Sequence, residues 1–274
     1  MQREKFEQKG LVLDKERVLT YSQLFCPLEC RYCFAGDLQF EQQNGVAYLT
    51  AEQLELLRML PDEIKLIMLG CDTEFFQNHA DALNTLEVLS GLGRNISLVT
   101  KMYLPPDFIK KLKDVDNRLR ERGNSLTLSF SIPCIESASM WEPKAPKPEM
   151  RMRSLQVAHD NKLDTLIAIR PLLPTLSNDE LCSIVETTSG YCKGYYSGPL
   201  YMKEIETSLL GDLPNLHIEK IQPHWMPDGN MFYKIEKDGQ MEFLRTIIEE
   251  KGHRLFEGAA EAIGTINKNE KSRT

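Results

Sequence analysis

The chain has 274 residues, 33 Lys and Arg against 40 Asp and Glu, and a formal net charge of −7. A hydrophobic content of 42% supports a sizeable core, in one large α/β domain or two small ones, and excludes an intrinsically disordered chain. No apolar run approaches the ~18 residues of a membrane span, and the acidic balance argues against broad, sequence-blind nucleic-acid binding. The first residues, Met1, Gln2, Arg3, Glu4 and Lys5, lack the apolar stretch of a signal peptide, so a cytoplasmic location is expected. Seven cysteines in a reducing compartment point away from a disulfide framework and toward metal or redox use.

Strand-like and helix-like segments alternate along residues 18–200. Residues 18–23 are short and β-prone and run directly into a cysteine cluster. Thr50 and Gln53 read as a capping box opening a helix with Leu54, Leu57 and Leu60 on one face. A strand over 64–69 ends at Gly70, a helix over 78–92 carries Leu83, Leu86 and Leu89, and a strand follows over 96–100. Pro106 starts a helix with Phe108, Ile109, Leu112, Val115 and Leu119 facing inward. Residues 126–132 alternate apolar and Ser/Thr side chains, as a two-faced strand does. A link with Pro143, Pro146 and Pro148 leads to a helix over 149–161, a strand over 165–170 stopped by Pro171, a helix over 179–191, and a weaker strand over 195–202.

This rhythm implies parallel βαβ units, too few for an eight-fold barrel. It suits an open partial barrel or a doubly wound sheet, with ligands at the carboxyl ends of the strands in either case. After residue 205 the pattern degrades, and one amphipathic helix remains over 241–251, with Phe243, Leu244, Ile247 and Ile248. The expected organisation is a core over 1–205 and a C-terminal extension over 206–274 that caps it, with a polar, disordered tail from about 267.

The strongest chemical signal is Cys26-Pro-Leu-Glu-Cys30-Arg-Tyr-Cys33, in the loop after the first strand of the alternating pattern. Thiolates are soft ligands, and this spacing lets one loop wrap an iron–sulfur cluster. Zinc, or packing without metal, is the alternative. A zinc site normally draws its remaining ligands from a second close pair, and Cys71, Cys134, Cys182 and Cys192 form none. A cubane held by three thiolates leaves one iron open to a substrate or cofactor.

The pattern Cys26-x-x-x-Cys30-x-Tyr32-Cys33 resembles the signature of the radical S-adenosylmethionine (SAM) enzymes. Residues 69–74 (LGCDTE), 99–101 (VTK), 128–132 (LSFSI), 141–143 (WEP), Arg151 and 170–174 (RPLLP) resemble, in order, the spore photoproduct lyase branch of that family. The resemblance implies a partial (β/α)6 TIM-like barrel, a [4Fe–4S] cluster on Cys26, Cys30 and Cys33, and SAM at the open iron. One electron, from a flavodoxin- or ferredoxin-like donor, then cleaves the sulfonium, and a 5′-deoxyadenosyl radical abstracts hydrogen from the substrate. It further implies Tyr32 near the adenine and Asp72 and Thr73 on the SAM amino group. Cys71 would return a hydrogen atom to the product radical.

The strand-end positions agree with these roles. Gly70 permits close backbone approach, Lys101 suits a carboxylate, and Ser129 and Ser131 share a strand face within reach of ribose or carboxylate. Arg170 calls for an anionic partner in the cofactor, the substrate or a glutamate. His224 and Trp225 are candidates for a substrate pocket. Only 25 residues precede Cys26, the charge is acidic, and the relay tyrosines of the spore lyases find no counterpart. The expected enzyme, of lyase or oxidoreductase type, therefore acts on a small molecule, nucleotide or peptide. The alternatives are nucleic-acid lesion repair and a non-catalytic iron–sulfur binding or sensing protein.

Overall fold

The computed structural model describes residues 2–22, 24–37, 47–223, 229 and 231–271. In chain order the elements are α1 (Gln2–Glu7), β1 (Leu11–Asp14), β2 (Arg17–Thr20), α2 (Ala51–Arg58), β3 (Leu66–Leu69), α3 (His79–Ser90), β4 (Asn95–Thr100), α4 (Pro106–Arg120), β5 (Leu126–Ser131), α5 (Ala138–Trp141), α6 (Pro148–Asp160) and β6 (Asp164–Ile169). They continue with α7 (Asn178–Thr188), β7 (Tyr195–Ser197), β8 (Leu200–Met202), α8 (Thr207–Leu210), β9 (Leu216–Ile221), β10 (Phe232–Lys237), α9 (Gln240–Glu250), β11 (Leu255–Phe256) and α10 (Ala259–Lys271). Two compact units emerge. The first comprises Met1–Pro27, Gln39–Phe130 and Arg153–Thr165; the second comprises Leu28–Leu38, Ser131–Met152 and Leu166–Thr274.

In the first unit β1 and β2 form an antiparallel hairpin, and β2, β3, β4 and β5 then pair in parallel, in that order. The parallel register follows from the helices between the strands, which return the chain to the same end of the sheet. The capping box forms as read. Thr50 Oγ1 accepts from Gln53 N at 3.1 Å, and Gln53 Oε1 accepts from Thr50 N at 2.9 Å. Gln53 Nε2 also donates to the carbonyls of Lys9 and Tyr21, at 2.8 and 3.0 Å, which ties α2 to the segment leading into the cysteine loop. Phe108, Ile109, Leu112, Val115 and Leu119 of α4 are all buried, each worth about 1.5–3 kcal/mol of apolar transfer.

In the second unit β7 pairs in parallel with β6 and with β11. A separate antiparallel sheet runs β8-β10-β9. The expected strand over 195–202 is two strands in two different sheets. They separate at Gly198 and Pro199, where Pro199 has no N–H to continue a ladder. The helix expected over 179–191 ends at Thr188 and closes in a short 3₁₀ turn, Ser189–Tyr191. Beyond 205 there is more regular structure than the pattern suggested. In β9 four of six residues are exposed, and in β10 the two buried residues, Phe232 and Ile235, stand three apart, so neither strand shows a clean two-residue period. Helix α10 continues to Lys271, past the expected start of the tail at 267.

Candidate active site

In the first unit the chemistry gathers where β2, β3 and β4 end. Gly70 follows β3 with φ +80°, and a Cβ there would stand 2.7 Å from the Val99 carbonyl oxygen. The close approach that this glycine permits is therefore to the neighbouring strand. Its N–H donates to Tyr48 Oη at 2.6 Å, and Tyr48 Oη lies 3.3 Å from Thr20 Oγ1. Next in the chain, Cys71 is half-buried, with Sγ donating to the Met68 carbonyl at 3.4 Å. Burial first, and the neighbouring Asp72 second, push its thiol up to about 12, so it stays protonated at neutral pH. Two buried tyrosines that the sequence reading passed over, Tyr21 and Tyr48, share this neighbourhood. Burial raises both phenols, and Cys71 and Asp72 add to the effect.

Asp72 accepts from Ser22 Oγ at 3.3 and 3.2 Å, which joins the loop after β3 to the end of β2. Thr73 is buried, and its Oγ1 accepts from Gln77 Nε2 at 2.6 Å. The same Gln77 amide donates to the carbonyl of Phe25, the residue before Cys26, at 3.2 Å. Glu74 had no assigned role in the sequence, yet it organises this corner. Its buried carboxylate accepts from Phe76 N at 3.0 Å, Thr100 Oγ1 at 2.8 Å and Lys101 N at 2.9 Å. Burial raises its pKa, and these three bonds oppose the rise. The backbone of Lys101 is thus pinned at the end of β4, with its side chain half-buried. Ser129, opposite Val99 in the β4–β5 ladder, is fully buried, and its Oγ has no hydrogen-bond partner among the described residues. This buried hydroxyl, fourth of six residues in β5, keeps unused hydrogen-bonding capacity.

In the second unit, Cys33 N donates to the Cys30 carbonyl at 2.9 Å, closing a tight turn around Arg31 and Tyr32. Tyr32 is buried; its hydroxyl donates to Glu142 Oε1, and its ring lies 6.3 Å from that of Trp141. Burial and Glu142 together keep the phenol far from ionising. Ser131 is buried, with its carbonyl accepting from Arg151 Nη1 at 2.9 Å. Arg170 has no ion pair among the described residues. Nη1 donates to the Glu257 carbonyl at 3.2 Å, and the guanidinium lies against Gly198 and Gly258, where a Cβ would come within 3.3 and 3.6 Å of it. His224 and Trp225 lie outside the described residues.

All seven cysteines are free thiols. Cys26 and Cys30 are half-buried, Cys33 is exposed, and Cys134 and Cys192 are buried. Among the described residues no three His, Cys, Asp or Glu side chains stand close enough to hold a metal ion as they are. The donor set Cys26, Cys30 and Cys33 nevertheless suits a thiolate-ligated iron–sulfur cluster: three unoxidised soft ligands within eight residues, none sealed in the core.

A mostly parallel α/β sheet, with a three-cysteine loop after its first parallel strand, defines the class of protein. The Radical SAM superfamily model matches residues 20–188, more than half of the chain, and the chain belongs to that superfamily. Its fold is the partial-barrel α/β arrangement of that family, and its cofactors are a [4Fe–4S] cluster and SAM. No curated protein matches the sequence. Among solved structures, Streptococcus suis SuiB bound to S-adenosylmethionine is 13% identical, with a TM-score of 0.58, covering 92% of this chain and 52% of SuiB. This chain therefore spans about half the length of SuiB. SuiB bound to precursor peptide SuiA matches with a TM-score of 0.51 and 14% identity over 71% of this chain and 41% of that one. Spore photoproduct lyase complexed with dinucleoside spore photoproduct is 12% identical, with a TM-score of 0.58, over 82% of this chain and 72% of that one. The radical SAM methyltransferase TsrM from Kitasatospora setae, with cobalamin and [4Fe–4S] cluster bound, is 14% identical, with a TM-score of 0.57, over 90% and 55%. At these identities the likeness is one of fold. Among the described residues no helix is long and apolar enough to cross a membrane.

Proposed function

We propose that this chain holds its cluster on Cys26, Cys30 and Cys33 and removes hydrogen from a small-molecule or peptide substrate, with Cys71 as the hydrogen-atom donor that quenches the product radical. When bound, the cluster and SAM supply a one-electron cleavage of the sulfonium and the 5′-deoxyadenosyl radical that attacks a substrate C–H bond. The observation that carries the reading is Cys71. It sits at the carboxyl end of β3 as a thiol that burial and Asp72 keep protonated. A hydrogen-atom donor must carry its S–H. Transfer breaks that bond, forms the product C–H bond and leaves a thiyl radical. One electron from a flavodoxin- or ferredoxin-like donor, with one proton, restores the thiol.

Asp72, oriented by Ser22, is suited to the SAM amino group, and Thr73 flanks it. Lys101 and the orphan hydroxyl of Ser129 offer polar contacts to the carboxylate or ribose, with Ser131 next on the same face of β5. Arg170, which has no ion pair among the described residues, suits an anionic group of substrate or cofactor. The net charge of −7 weighs against duplex DNA, and the SuiB–SuiA complex weighs toward a peptide. Lesion repair is the second reading, supported by Cys71 and by the fold likeness to spore photoproduct lyase.

The test is anaerobic reconstitution, reduction and assay for 5′-deoxyadenosine. Formation of the nucleoside supports the enzyme; a well-loaded, reduced protein that leaves SAM intact sinks it in favour of iron–sulfur sensing. Peptide and dinucleoside substrates distinguish the two enzyme readings. In D2O the Cys71 thiol exchanges, so the parent's product should carry one solvent deuterium at the attacked carbon. Cys71→Ala should lose that label, and an unchanged deuterium content by mass spectrometry rules out Cys71 as donor.

A further inference from the structure

The second half of the cysteine loop is gripped from a distant stretch of sequence by consecutive residues. Arg31 N donates to the Trp141 carbonyl at 2.9 Å, and the hydroxyl of Tyr32 donates to Glu142. The Glu142 carboxylate uses its other oxygen on Arg151 Nη2, at 2.5 Å, and both side chains are fully buried. Arg151 is itself locked. Nε donates to the Pro146 carbonyl at 2.8 Å and Nη1 to the Ser131 carbonyl at 2.9 Å. Lys144 pairs with Glu29 at 2.5 Å on the exposed rim of the same contact. Glu142 Oε2 and Arg151 Nη2 meet as an ion pair and not as an aligned hydrogen bond, while Glu142 Oε1 and Arg151 Nε and Nη1 are hydrogen-bonded; such a buried pair is a poor device for raw stability and serves to hold its neighbours in one geometry.

We infer that Glu142, backed by Arg151, is a positioning residue for the cluster: by holding the Tyr32 hydroxyl it sets where Cys30 and Cys33 present their sulfurs. This rests on the assignment of those cysteines as ligands. The turn between them leaves little slack, since Cys33 N is bonded to the Cys30 carbonyl and the intervening Tyr32 is anchored at its ring and its hydroxyl. Hydrogen-bonded partners one shell beyond the ligands fix ligand orientation and tune the metal.

The experiment uses the full chain, reconstituted anaerobically with iron and sulfide, and compares Tyr32→Phe with Lys144→Ala, which removes only the exposed pair. Tyr32→Phe keeps the ring and deletes the grip. Its iron should pass to a ferrous chelator about tenfold faster, the low end of the effect of losing such a partner. The electron paramagnetic resonance spectrum of its reduced cluster should shift, and the metal-free chain should stay folded under the assay conditions while unfolding at a somewhat lower midpoint, because the buried Glu142 carboxylate loses one donor. Lys144→Ala should match the parent throughout. Parent-like iron release and spectrum in Tyr32→Phe overturn the proposal. Should that variant not fold, Glu142→Gln is measured in its place by the same two readouts, with the same outcomes deciding. A Cys30→Ala protein with a parent-like cluster refutes the ligand assignment instead, so the two failures are told apart.

Discussion

Replacing Cys30 with Ala is expected to abolish the brown chromophore at about 400 nm, which comes from thiolate-to-iron charge transfer, and with it all reductive cleavage of SAM. The reasoning is one of ligand count. Three thiolates leave a single iron of a [4Fe–4S] cluster for SAM, and Cys71, Cys134, Cys182 and Cys192 show no motif that supplies a substitute. The change should not unfold the chain. Cys30 is half-buried, and the bond it makes to Cys33 N uses its backbone carbonyl, which Ala retains. A half-exposed Cys→Ala change away from the core should alter stability by only about 0.5 kcal/mol. Circular dichroism matching the parent, together with absent iron and absent 5′-deoxyadenosine, is the expected set. A loaded, brown Cys30→Ala protein would show that the cluster is held elsewhere.

The second large effect concerns stability. Arg151→Ala should destabilise the chain by about 3–5 kcal/mol, the usual cost of removing one partner from a buried ion pair. Glu142 would keep a carboxylate with no exposure and lose its counter-charge, and the Ser131 and Pro146 carbonyls would lose their donors. Against a typical stability of about 5–15 kcal/mol, that is enough to lower yield and advance the urea midpoint sharply. The double variant Glu142→Gln/Arg151→Met removes both charges and should recover part of the loss. If the single change costs less than about 1 kcal/mol, the pair is more hydrated than its burial indicates.

Much of the first unit could be read directly from the residues. The capping box at Thr50, the Pro106 start of α4 and the apolar spacing along that helix each combine a local propensity with a burial pattern, and local signals survive folding unchanged. The second sheet could not be read in this way. Its strands carry exposed residues on both faces in β9 and a three-residue burial step in β10, so periodicity gives no strand signal there. The split of 195–202 at Gly198 and Pro199 was hidden for a related reason. The two halves look like one strand locally and differ only in the partners they meet, β6 and β11 for one and β10 for the other.

The site divides along the same line. Cys26, Cys30 and Cys33, the proposed ligands, stand out in the sequence because they form a local motif, and Cys71, the proposed donor, because it follows a strand end. Glu74 and Glu142 do not, because each meets a partner on another element: Glu74 meets Thr100 and Lys101 at the end of β4, and Glu142 meets Tyr32, 110 positions earlier. Gly70 permits close backbone approach, and the atom nearest to its missing Cβ is the carbonyl oxygen of Val99 on the neighbouring strand. By itself the sequence determined the family and its cofactors, through short motifs whose chemistry depends on spacing along one loop. Only the tertiary structure decided which groups hold those motifs in place, because burial and hydrogen bonding are set by residues that folding brings together, across 26 positions for Glu74 and Thr100 and 110 for Tyr32 and Glu142.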